Sequence, residues 1–104
     1  MEPLTLKFKK PAELVEMLKQ RDWQVVSQFV ECILDGIGTS KELVTVFYIV
    51  IEGAKEDIAI DVKRPNFKEI LQNCLKDYIR LEKYEECADI KVGIEKLEIE
   101  YAEH

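Results

Sequence analysis

The chain has 104 residues, 47% of them hydrophobic, which is enough for one buried core and short for two domains. Its 21 acidic and 15 basic side chains leave a net charge of −6, which disfavours phosphate backbones as partners. One histidine, and three cysteines without Cys-x-x-Cys spacing, argue against familiar catalytic sites, zinc sites and disulfide scaffolds.

Leu4 to Lys9 alternates apolar and polar residues, the period of a half-buried strand. Pro11 then enters the first turn of a helix, where its missing donor costs nothing. Leu14, Val15 and Leu18 form the stripe of that helix. Gln20-Arg21-Asp22 interrupts it, and Asp22 is placed to cap a new start at Trp23. Val26, Phe29, Val30 and Ile33 resume helical spacing until Asp35-Gly36, where Gly is a good C-terminal stop. This region reads as an αα-hairpin, with a kinked long helix as the alternative.

The middle of the chain carries two conflicting signals. Thr39-Ser40-Lys41-Glu42 fits a capping box, and Leu43, Phe47, Val50, Ala54 and Ile58 fit a helical stripe. Yet Val44 to Ile51 is almost wholly β-branched or aromatic, and Asp57 to Lys63 alternates strictly about a Gly-containing turn. Residue type outweighs the cap and predicts a β-hairpin. Pro65 ends it, and Asn66 with Glu69 marks a helix start.

Phe67, Ile70, Leu71, Cys74, Leu75, Tyr78, Ile79 and Leu81 form one strong helical stripe. Tyr84, Cys87, Ile90, Ile94, Leu97 and Tyr101 form another, out of phase with the first. The slip between Leu81 and Tyr84 predicts the bend of an αα-hairpin, with Tyr84 packed at the bend. Ile99 falls off the second stripe, so residues 97–101 have a terminal strand as their alternative.

The expected architecture is therefore one α+β domain over residues 1–104. A small antiparallel sheet of two or three strands is flanked by two αα-hairpins, and an all-α fold follows if the middle is helical. A shift of 61 positions sets Leu14 on Leu75, Trp23 on Tyr84 and Ile33 on Ile94, as if one helical-hairpin pattern were used twice. Met1 to Lys10 lacks the apolar run of a signal peptide. Leu43 to Ile51, the longest apolar stretch, is far short of the roughly 20 residues that cross a membrane. Together with the cysteine usage, this predicts a cytoplasmic chain with Cys32, Cys74 and Cys87 reduced and no membrane association.

Leu81-Glu82-Lys83-Tyr84-Glu85-Glu86-Cys87-Ala88-Asp89-Ile90-Lys91 resembles the UVR motif, a helical hairpin found in nucleotide-excision-repair proteins. Tyr84, Glu85, Glu86, Cys87, Ala88, Ile90 and Lys91 match its order, and the likeness spans roughly residues 71–97. Val92-Gly93 departs from the polar residues usual after the basic position. The resemblance implies a protein-binding module that pairs with another hairpin.

Other candidate chemistry has simpler explanations. Asp35 to Lys41 has two glycines and a Ser-Lys pair but not the spacing of a phosphate loop. Glu56, Asp57 and Asp61 lack the spacing of a calcium loop. His104 ends the chain, where a fraying terminus is no place for a general base. Trp23 with Tyr84 makes a candidate aromatic pocket that core packing explains as well.

Residues 1–41 balance in charge, whereas residues 67–104 hold ten acidic and six basic side chains. The expectation is a non-enzymatic protein–protein interaction module, an adaptor or regulator with no cofactor or metal. Its acidic helical surface, Glu82, Glu85, Glu86 and Asp89, would meet a protein with a basic surface. A homo-oligomer stays open. The alternative is a small nucleic-acid or ligand binder in which Lys7, Lys9, Lys10, Lys63 and Arg64 converge on a strand edge.

Overall fold

The structure, a computed structural model, describes residues 1–103; His104, and the expectation attached to it, lie outside the described residues. Strand β1 (Leu4–Phe8) leads into helices α1 (Pro11–Gln20) and α2 (Trp23–Gly38). Strands β2 (Leu43–Ile51) and β3 (Ile58–Lys63) follow. A single 3-10 turn, Arg64–Asn66, then opens α3 (Phe67–Arg80), and α4 (Tyr84–Ala102) completes an α+β fold.

Residues 44–62 form the expected β-hairpin, and the all-α alternative is wrong. Strands β2 and β3 pair antiparallel, and Gly53 turns the chain between them at φ +82°, a conformation that suits a residue without Cβ. The sheet order is β1-β2-β3, with β1 parallel to β2 and Leu4 opposite Phe47. The sheet is thus mixed and not antiparallel. Two helices separate β1 from β2, and such a crossover returns the chain in its original direction.

The pleat puts Leu6 and Phe8 on the same face as Ile49 and Ile51, packed against the core. Tyr48 points to the other face and is exposed. A bulge between Thr45 and Phe47 leaves Val46 without an opposite residue. Its carbonyl accepts a hydrogen bond from Nε2 of buried Gln28 on α2, at 3.1 Å.

Helix α2 starts where the sequence places it: Asp22 Oδ1 accepts from the Val25 amide at 3.0 Å. It does not stop at Gly36. The helix continues to Gly38 and ends in a Schellman arrangement, in which the Ser40 amide bonds Ile37 and the Lys41 amide bonds Gly36. Gly36 is interior because a neighbour needs its space: a Cβ there would lie 2.6 Å from Val44 Cγ1.

The expected N-terminal αα-hairpin is not a packed unit. Helix α2 lies against β2, α3 and α4, whereas α1 rests mainly on β1 and has no buried residue. Leu14, Met17 and Leu18 only half-bury against the core. Its counterpart α3 buries Phe67, Leu71, Cys74 and Tyr78, so the internal echo is one of spacing and not of architecture.

Helices α3 and α4 do form the second αα-hairpin. Asn66 makes no capping bond, because the 3-10 turn runs straight into α3. Residues 97–101 are helical, not a strand. Phe47, Phe67, Ile33, Ile49, Leu71, Ile90 and Leu97 are fully buried and join sheet and helices in one core.

Two glycines test this packing. At Gly93 a Cβ would fall 2.5 Å from Leu34 Cδ2, the free end of a half-buried side chain. At Gly36 it meets β-branched, buried Val44. Gly36→Ala is expected to destabilise by about 1–3 kcal/mol through overpacking. Gly93→Ala recovers about 1 kcal/mol of helix propensity and should come out near neutral. Urea denaturation of both variants checks the contrast.

Candidate functional site

The turn between α3 and α4 places the acidic residues. Leu81-Glu82-Lys83 closes it through bonds from the Glu82 amide to Ile79 and from the Lys83 amide to Tyr78. Glu82 itself takes a left-handed conformation, φ 58°. Glu85 and Glu86 then occupy the first turn of α4, where the helix dipole favours negative charge. Asp89 follows one turn later. The four side chains sit off the buried Cys87–Ile90–Ile94–Leu97 stripe, and all are exposed. Among the described residues none of the four makes a side-chain hydrogen bond or an ion pair.

One carboxylate nearby is occupied. Asp77, buried near the end of α3, accepts from Arg21 Nη2 at 2.6 Å and Nε at 2.9 Å. Arg80 adds a longer bond to Asp77 and donates to the Arg21 carbonyl at 3.1 Å. The α1–α2 junction is thereby tied to the base of the helical hairpin. Trp23 packs on Tyr78 with ring centroids 4.8 Å apart, and Lys83 Nζ lies 4.9 Å from the Trp23 ring centre.

Tyr84 is not part of this joint. It is 63% exposed, contrary to the expectation of a packed ring at the bend, and it forms no pocket with Trp23. The bend lies where the phase slip predicts it, but the ring that fills it belongs to Tyr78. Tyr84→Ala should therefore shift the melting temperature little, whereas Tyr78→Ala is expected to cost about 3–5 kcal/mol. Thermal melts of the two variants separate these outcomes.

The basic residues do not converge. Lys7, Lys9 and Lys10 belong to β1 and its exit on one edge of the sheet; Lys63 and Arg64 end β3 on the opposite edge. Because Phe8 faces Ile51 while Lys63 faces Leu43, the two groups also lie at opposite ends of β2. The sequence leaves strand order open, and β2 comes between. Arg64 is moreover buried. Its Nε and Nη2 bond Glu100 at 2.9 and 2.7 Å, and its Nη1 bonds the carbonyl of Lys41 at 2.7 Å.

Cys32, Cys74 and Cys87 are buried and unbridged. Burial pushes the Cys74 thiol up to about 11, against a smaller lowering by Arg21, so it is a poor nucleophile at neutral pH. Among the described residues no three His, Cys, Asp or Glu side chains are placed to hold a metal ion. None of the described helices is long and apolar enough to cross a membrane. Comparisons with protein-family models, with curated proteins and with solved structures find no match.

Sequence reasoning missed Gln28, Asp77 and the clamp made by Arg64. Each is polar within or beside an apolar pattern, and each has its partner far along the chain.

Burial pushes the Asp77 carboxyl up, but its bonds with Arg21 and then Arg80 outweigh this and hold it below the usual carboxylate range. A lowered folded value means that the joint stabilises the fold above the unfolded value of about 3.9. That contribution is lost as pH falls through the folded value. Denaturation midpoints measured from pH 6 down to pH 2 should decline more in the parent than in Asp77→Asn.

Proposed function

We propose that the chain is a non-enzymatic interaction module, an adaptor or regulator in the cytoplasm. It binds a protein with a basic surface through Glu82, Glu85, Glu86 and Asp89. One observation carries this reading: four carboxylates cluster at one hairpin tip, solvent-facing and unpaired, while Asp77 and Glu100 are held by arginines. The UVR-like pattern of residues 81–91 supports it, since hairpins of that kind bind proteins. Helix stabilisation explains Glu85 and Glu86 in part, but it gives no role to Glu82 or Asp89.

Free surface carboxylates contribute little to folding and much to the rate of meeting a basic partner. Glu85→Lys, Glu86→Lys and Asp89→Lys combined should leave the fold intact, as checked by circular dichroism. Partner capture should fall about tenfold or more at low ionic strength, with the difference shrinking as salt is added. Undiminished capture of the same partners by the triple variant overturns the reading.

A further inference from the structure

Helix α4 carries two apolar stripes, and the fold uses one. At 100° per residue, Cys87, Ile90, Ile94 and Leu97 fall on one side, and all are buried. Ala88, Val92 and Ile99 fall on nearly the opposite side, in line with Tyr84. Val92 is 49% exposed, Ile99 is 60% exposed, and Ala88 is exposed. Ile99 is thus no irregularity; it belongs to the outer stripe. A solvated helix face is ordinarily polar, and large apolar residues repeated along one are the pattern of a helix–helix seam.

The surroundings of the stripe narrow its occupant. A shallow groove of about 270 Å³ runs along one side, between Val92 and the α2 residues Leu34 and Ile37, with Gly93 lining it. Glu85 and Asp89 flank the stripe on that side, Glu98 flanks it on the other, and Glu95 interrupts it; Lys91 and Lys96 are the nearby cations. A second copy docked here would set these carboxylates against their own kind. A helix rich in Lys or Arg at the flanking positions would neutralise them.

We propose that the outer face of α4 seats an amphipathic helix of the partner protein. That helix presents apolar residues at three- and four-residue spacing, bordered by basic ones. This rests on the acidic-surface reading above and adds the partner's shape and chemistry to it. From Tyr84 to Ile99 the stripe is about 22 Å long, or four helical turns. A partner segment of four turns covers it.

The test uses the full chain and two labelled synthetic peptides in fluorescence anisotropy. One peptide is a three-heptad helix with Leu at the seam and Lys beside it. The other has the same composition, scrambled so that no stripe forms. The patterned peptide should bind about tenfold tighter or better. Val92→Gln with Ile99→Gln should bring the two peptides level while leaving the melting temperature unchanged, since Gln keeps good helix propensity.

If both peptides bind equally and both weaken on reversal of Glu85, Glu86 and Asp89 to Lys, the acidic surface stands and the helical seat is overturned. If neither peptide binds, both readings fall. If sedimentation velocity shows a dimer of the chain that Val92→Gln with Ile99→Gln abolishes, the occupant is a second copy and the proposal is overturned.

Discussion

Helix α2 is hemmed in by β2 on one side and by α3 and α4 on the others, and two glycines set how closely they approach it. Gly36 on α2 admits Val44 and Phe67; Gly93 on α4 admits Leu34 and Ile37. The polar contacts then lock this geometry at three heights. Arg21 beside its start binds Asp77, Gln28 at its middle holds the Val46 bulge, and Arg64 bonds the carbonyls of Gly36 and Lys41 near its end. Arg64 also holds Glu100, so the far end of α4 is fixed to the same spine. Buried polar groups of this kind are worth most when every member is satisfied, and among the described residues no buried side-chain polar atom lacks a partner.

That arrangement explains which charges are free. Asp77 and Glu100 lie where helices meet α2 or the turn beside it, and each is held by an arginine. Glu82, Glu85 and Glu86 lie on the hairpin tip and Asp89 at the rim of the α4–α2 groove, all exposed, and no cation of the core reaches them. Position thus separates the two arginine-held carboxylates from these four. Tyr84, Val92 and Ile99 stay exposed as well.

Much of the fold is legible from residue type and period. The run Val-Thr-Val-Phe-Tyr-Ile-Val-Ile is too β-branched to be a helix, and the stripes at Phe67–Ile79 and Cys87–Leu97 mark two helices with a bend between them. The acidic face is legible too, because it follows from the inner stripe. What is not legible depends on distant partners. The direction of β1 depends on the crossover, and the separation of Lys7 from Lys63 depends on β2 lying between their strands. Arg64 reads as a surface cation in sequence, yet its carboxylate stands on the last helix. Leu14 and Leu18 have the spacing of a packed stripe, but α1 lies at the margin of the core and only half-buries them.

The parallel pairing of β1 with β2 has a kinetic side. The β2–β3 and α3–α4 hairpins each close over a short turn, and local closures are cheap in chain entropy. Strand β1 finds β2 only after the whole stretch from Lys9 to Glu42 has been brought back on itself. Such a closure costs more chain entropy than a tight turn, and α1, with no buried residue, has little besides β1 to hold it. Helix α1 is therefore the element with the fewest buried contacts to lose on local opening, while α2 and the two hairpins hold the core behind it.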